Sequence, residues 1–222
     1  MHIPVVFEND DFIVVNKPIG LDMHSQNNSL GVIEQCKSLF NLEQLYLTHR
    51  LDTPTSGCLL LAKNKQTASE LGKAFEKKWV YKLYIALSEK KPKKKQGKIK
   101  GDMEKSRDGS YKLKQSLNNP AITQFKSFSL APKVRLFVCK PITGKTHQIR
   151  VALKALSAPI LGDSRYKGSN SDRLYLHSYL ISFELNKKQY TFTCLPNEGS
   201  FFNSQTLNTF FTSTFKPEDI QW

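Results

Sequence analysis

The chain has 222 residues, enough for one domain of ordinary size with a well-buried core. Its 39% apolar fraction suits a globular fold, and no apolar run reaches the ~20 residues of a membrane helix. Thirty-three Lys and Arg against nineteen Asp and Glu leave +14, which points to a polyanionic partner, nucleic acid being the commonest, and away from a neutral small-molecule substrate.

The opening residues, MHIPVVFENDDFIVVNKP, have no basic start and no continuous apolar centre, so they do not read as a signal peptide. Residues 5–7 and 12–16 predict two short strands around an Asn9-Asp10-Asp11 turn. Asn28 or Ser29 is placed to cap a helix to about Phe40, with Leu30, Ile33 and Leu39 inward. Residues 46–51 read as a strand, 54–57 as a turn, and 57–63 as a central strand too uniformly apolar to be half exposed. Asn64 then caps a helix to about Lys78 with Ala68, Leu71 and Phe75 on one face.

Residues 80–87 give another strand. From 88 to 120 the composition turns to Lys, Gly, Ser and Asn, which predicts a long excursion with hairpins turning near Arg107-Asp108-Gly109. Residues 121–130 and 133–140 read as paired strands. Thr146 opens a helix to about Leu156, with Ile149, Ala152, Leu153 and Leu156 as its apolar stripe. Strands near 179–185 and 189–194 flank Asn186-Lys187-Lys188, and the tail after Pro196 is ambiguous. Strands outnumber helices without alternating with them, so the expected class is α+β with a large, mainly antiparallel sheet, in a single domain over 1–222.

The four cysteines, Cys36, Cys58, Cys139 and Cys194, form no CxxC pair and read as reduced core residues of a cytosolic protein. The five histidines show no HxxxH or HExxH spacing, so no metal site is expected. Phosphate-loop and dinucleotide glycine patterns are absent, and Ser56 lacks the context of a hydrolase nucleophile.

Asp52 stands between a strand and a turn that leads into a buried strand. A carboxylate there is either partly desolvated in a cleft, needing a cationic partner, or a turn cap bonded to the amides of Thr53 to Ser56. Arg150 lies about 100° from Ile149 on the helical wheel, so it faces either a cleft beside the core or solvent. Lys145, His147 and Gln148 sit at the same helix start, where free amides favour anions. Tyr84 shares a strand face with Lys82 and Ala86, as a core residue or a site residue.

Six stretches taken in order, VVNKPIGLDMH (14–24), HRLDTPTSGCLLLAKN (49–64), KLYIAL (82–87), PITGKTHQIRVAL (141–153), PILGDSRY (159–166) and LHSYLISF (176–183), resemble the motif series of RluA-type pseudouridine synthases. The resemblance spans nearly the whole chain. It implies an α+β catalytic domain on a large mixed, mainly antiparallel sheet with a central RNA-binding cleft. It also implies conversion of particular uridines in tRNA or rRNA to pseudouridine without cofactor or metal. By position, Asp52 matches the catalytic aspartate and Tyr84 the tyrosine that packs on the target base. Arg150 matches the basic partner of the aspartate, and Arg50 the arginine that enters the RNA where the uridine leaves. His49, Lys145 and His147 join Arg50 as RNA-contacting, base-flipping candidates.

The chain departs from the family pattern at residues 21–24, usually more apolar before the His, and at Thr53. It starts directly at the catalytic domain, so the expectation is a compact, cytoplasmic, monomeric member, with no membrane association, that selects its RNA by its own surface. The competing reading is a non-catalytic RNA-binding or ribosome-assembly factor on the same fold. A nucleoside or glycoside hydrolase would need paired carboxylates, and only Asp52 is a strong candidate.

Overall fold

The computed structural model describes residues 2–25, 29–213 and 216–222. In chain order the strands and helices are β1 (Val5–Glu8), β2 (Phe12–Lys17), α1 (Val32–Leu39), β3 (Tyr46–Leu47), β4 (Ser56–Ala62), α2 (Lys65–Glu76) and β5 (Tyr81–Ser88). There follow β6 (Gln96–Lys105), β7 (Tyr111–Lys114), β8 (Ala121–Ala131), β9 (Val134–Pro141), α3 (Gln148–Ala155), β10 (Leu176–Leu185), β11 (Lys188–Thr193) and α4 (Gln205–Ser213). The chain forms two compact units, one of residues 1–82 with 177–196 and the other of 83–176 with 197–222.

In the first unit β4 is central. It pairs antiparallel with β2 along its length, and β1 extends that side. Its other edge takes β10 in parallel at Ser56–Gly57 and β3 antiparallel at Leu61–Ala62, and β11 closes on β10. Every residue of β2 and β4 is buried, as a strand covered on both faces requires. Phe12, Val14, Cys58, Leu60, Leu71, Ile181 and Phe183 form the core beneath α2, each large side chain contributing roughly 1.5–3 kcal/mol by leaving water. Asn64 caps α2 by accepting the Thr67 amide at 2.8 Å.

In the second unit the sheet is antiparallel in the order β5-β9-β8-β6-β7. On β8 the odd residues Ala121, Thr123, Phe125 and Ser127 are buried. The α3 residue Gln148 donates to Ile122 O and Thr123 Oγ1, both at 3.0 Å. The even residues face the other way, where Phe128 meets Phe210 of α4 edge to face at 6.0 Å. In the C-terminal segment Arg173 is buried, lies 5.2 Å over the Phe202 ring and donates to Glu198 O, and so ties 197–202 to the unit.

Several expectations need correcting. The Asn28 cap lies outside the described residues; α1 begins at Val32 with Gly31 at its cap, and Leu30 and Leu39 are exposed rather than inward. Its inner face is Val32, Ile33 and Cys36, because the helix starts late and the spacing shifts. The strand expected over 46–51 stops at Leu47, because the next residues turn their side chains back onto β4. The helix expected at Thr146 begins at Gln148, because His147 takes a left-handed φ of 57°. The tail after Pro196 contains α4. The mainly antiparallel sheet, the hairpin turning at 106–110 and the strand pairs 121–131/134–141 and 176–185/188–193 agree with the sequence reading. All four cysteines are free and buried; burial pushes the Cys36 thiol up to about 12 and raises those of Cys58 and Cys139. No helix among the described residues is long and apolar enough to cross a membrane.

Candidate active site

The Asp52 loop belongs to the first unit and is fastened at both ends. Upstream, Thr48 Oγ1 donates to Leu60 O at 2.7 Å, and His49 Nε2 accepts the Leu60 amide at 3.0 Å. The His49 ring stacks on Phe75 at 4.7 Å. The residue as a whole is only half-buried, but its imidazole lies between Phe75 and β4. Burial, and then the charge of Lys82, pull its pKa down to about 3. His49 therefore stays neutral and accepts the bond that a charged ring would lose.

Downstream, Thr55 N donates to Asp52 O at 2.9 Å, closing the turn. Ser56 Oγ meets His177 Nδ1 at 2.8 Å, and His177 Nε2 meets Cys194 O at 3.0 Å. Gly57 has φ 113°, and a Cβ there would stand 2.2 Å from Ser178 O, so only glycine admits the close pairing with β10. The loop's flank rests on Lys17, which is fully buried. Its ammonium donates to Pro18 O at 2.9 Å, Leu21 O at 2.8 Å and Thr53 O at 3.2 Å. Gly20 N also donates to Thr53 O, and Thr53 Oγ1 donates to Asp22. Thr53 and Asp22, two of the departures from the family pattern, thus bond each other.

Between these anchors Leu51 is buried, Arg50 is exposed and Asp52 is half-buried. Neither Arg50 nor Asp52 lies in a strand. Their placement comes from the anchored loop instead.

The second unit carries the other candidates. Tyr84 is buried on β5 opposite Cys139 of β9. Arg150 is 6% exposed, not solvent-facing, and is gripped bidentately by Asp163, Nε to Oδ2 and Nη2 to Oδ1, both at 2.8 Å. A fully enclosed guanidinium needs such a fork-to-fork partner. Tyr166 lies beneath the guanidinium, 5.0 Å from ring centre to Arg150 Cζ. His147 is half-buried with Nδ1 2.8 Å from Tyr166 Oη, and Lys145 Nζ donates to Asn119 O. The first unit thus gathers His49, Arg50 and Asp52 on one loop, and the second gathers Tyr84, Lys145, His147 and Arg150 on β5 and the start of α3.

Lys17, Asp163 and Tyr166 were not singled out from sequence, although each lies within a stretch that carries the resemblance. The signal for Lys17 was a lysine ending a strand of otherwise buried residues. For Asp163 it was an acid one glycine after the apolar run Pro159-Ile160-Leu161.

The RNA pseudouridylate synthase family model matches residues 11–155. This chain belongs to that family. It is an isomerase that makes pseudouridine in RNA. A Haemophilus influenzae protein named "Uncharacterized RNA pseudouridine synthase" is 46% identical over 210 residues, 93% of each chain. Ribosomal large subunit pseudouridine synthase C of Rickettsia bellii is 35% identical over 188 residues, 82% of this chain and 62% of that one. Among solved structures, human RNA Pseudouridylate Synthase Domain Containing 4 aligns with a TM-score of 0.71 at 27% identity, covering 90% of each chain. Human RNA Pseudouridylate Synthase Domain Containing 1 gives 0.73 at 25%, covering 88% of this chain and 84% of that one. The α+β fold with its mixed sheet is the fold of these synthase domains.

Proposed function

We propose that this synthase isomerises a specific uridine in a structured tRNA or rRNA, with Asp52 as the essential carboxylate. The observation that carries the reading is the Asp52 loop. It is bolted to β4, β10 and the Lys17 segment, yet it leaves Arg50 exposed and Asp52 half-buried. A loop held this firmly keeps two charged side chains at fixed positions, which chemistry on a flipped nucleotide requires.

A stacked or paired uridine must leave its stack, at a cost of a few kcal/mol. Arg50 enters the RNA in its place. Asp52 then acts as nucleophile, or as base on the ribose, while the C–N glycosidic bond breaks, the uracil turns and the C–C bond forms. Tyr84 packs on the uracil, and its hydroxyl serves removal of the carbon-5 proton. Arg150, aimed by Asp163, is the active-site guanidinium. His49, Lys145 and His147 complete the RNA-contacting set, His49 by shaping the loop. The mechanism draws on side chains alone, with no cofactor or metal. We place the synthase in the cytoplasm as a monomer whose two units serve one catalytic domain.

The rRNA alternative has support in the names of the relatives, the tRNA alternative in the family resemblance, and the net charge of +14 fits both. Pseudouridine mapping on total RNA from cells with and without the gene decides between them. The same mapping with Asp52→Asn should show the site lost while RNA affinity stays within about threefold, since the shape is kept and the charge removed. Substantial turnover by that variant removes Asp52 from the mechanism and leaves another side chain to carry the chemistry; no pseudouridine lost on removing the gene would favour an RNA-binding factor.

A further inference from the structure

The β6–β7 hairpin ends in a basic turn. Lys105, Arg107 and Lys112 are exposed and, with Glu104, Ser106 and Ser110, line an open concavity of about 540 Å³. The acids nearby are engaged: Glu104 pairs with Lys114 at 2.9 Å, and Asp108 accepts from Ser110 N and Oγ. The hairpin is joined to the rest of its unit at Tyr166. Tyr111 N, at the first residue of β7, donates to Tyr166 Oη at 3.0 Å. The same oxygen lies 2.8 Å from His147 Nδ1. The His147 ring stands edge-on to both tyrosines, each at 5.7 Å between ring centres. The face of the Tyr166 ring carries the Arg150 guanidinium. Burial raises the pKa of the Tyr166 phenol, so it keeps its proton and both its bonds at neutral pH.

We infer that Tyr166 is a positioning residue that couples the seating of the β6–β7 hairpin on RNA to the orientation of Arg150. One phenol takes the hairpin's backbone on its oxygen and floors the arginine with its ring, and it is 4% exposed, so its ring cannot turn without breaking the Oη bonds. RNA phosphates held by Lys105, Arg107 and Lys112 draw the hairpin onto Tyr166, and the ring holds the guanidinium against Asp163. The partner is an RNA backbone because the concavity is open, presents three cations and is lined by charged residues and serines with no apolar residue among them. The inference rests on Arg150 being the active-site guanidinium.

The test is a double-mutant cycle on the full chain, with Tyr166→Phe and a hairpin triple variant, Lys105→Ser with Arg107→Ser and Lys112→Ser. RNA affinity and single-turnover rate at saturating enzyme are read for each, beside wild type and Asp52→Asn. Tyr166→Phe keeps the ring beneath Arg150 and removes the Oη bonds; it should slow the saturated rate about tenfold, the size of one lost hydrogen bond, with affinity nearly unchanged. The triple variant should weaken affinity and slow the saturated rate. Added to Tyr166→Phe it should slow the rate no further, because coupling through one residue makes the effects non-additive. A wild-type rate in Tyr166→Phe overturns the inference. So do additive rate effects, or a loss of affinity alone. Should Tyr166→Phe fold poorly, the hairpin triple variant carries the test by itself: a slowed saturated rate supports the coupling, and a loss of affinity with a wild-type saturated rate overturns it. If Asp52→Asn retains full turnover or Arg150→Lys is fully active, the reading of the site fails instead, and the two failures are told apart.

Discussion

At the scale of single residues, His49 shows how a polar side chain near the chemistry can act through folding. Its folded pKa is about 3 against an ordinary 6.5, lowered by burial and by Lys82. Between those values the unfolded chain binds more protons than the folded one, so stability rises with pH and is lost as pH falls from about 6.5 toward 3. One such group contributes a slope of up to about 1.4 kcal/mol per pH unit in that window. His49→Gln, which keeps an acceptor for the Leu60 amide without the titration, should flatten the slope in urea melts run from pH 6.5 to 4; an unchanged slope would place the acid sensitivity elsewhere. The Asp163 grip on Arg150 makes two further expectations. Arg150→Lys should lose most turnover, because an ammonium cannot fill a bidentate carboxylate fork and aim a second contact. Tyr84→Phe should bind RNA normally but lose turnover if the hydroxyl moves the proton; a normal rate would reduce Tyr84 to stacking. The identities of these residues were legible in the motifs. Asp163 was not, because a bidentate partner thirteen residues away leaves no mark in a helical wheel.

At the scale of elements, the parts written by local chemistry were read well and the parts set by tertiary contact were not. The cap at Asn64 is a sequence signal, and α2 begins there. Asn64→Ala should cost roughly 1 kcal/mol by leaving the Thr67 amide unbonded, read as a lower urea midpoint with an unchanged slope. The apolar run in β4 and the alternation in β8 likewise read directly, since burial on two faces or one sets the pattern. The short β3 and the late start of α3 did not. In both cases histidines leave the expected element: His49 turns back to bond β4, and His147 takes a left-handed turn to meet Tyr166. Both of these departures fall on a candidate site segment, where local preference is given up to hold a side chain in place.

At the scale of the whole molecule, the charge read from composition is arranged on an ordered scaffold. The seven lysines between 89 and 101 are all exposed. Lys98 and Lys100 lie on β6, two residues apart and so on one face, opposite Gln124 and Ile122 of β8. The loop before them is pinned where Lys93 N donates to Leu156 O at 3.2 Å and where Ser127 N and Oγ donate to Lys95 O at 2.7 and 3.0 Å. Like charge this dense favours an extended, solvated segment, but it carries no sign of the pairing with β8, which depends on a strand more than twenty residues away. Because the backbone that carries these lysines is already ordered, only their side chains lose freedom on meeting phosphates, so we expect this segment to be an electrostatic contact for RNA rather than a floppy tether. Each phosphate neutralised contributes roughly 0.7 to 0.9 to the slope of log affinity against log salt. If three of the seven make contact, replacing all seven with Ser should flatten that slope by about 2 to 3 and weaken binding at low salt. The single-turnover rate at saturating enzyme should hold, in contrast to the Lys105, Arg107 and Lys112 set, whose loss slows it. An unchanged salt slope would show that these lysines touch no phosphate, and a lost rate at saturation would move the segment into the chemistry itself.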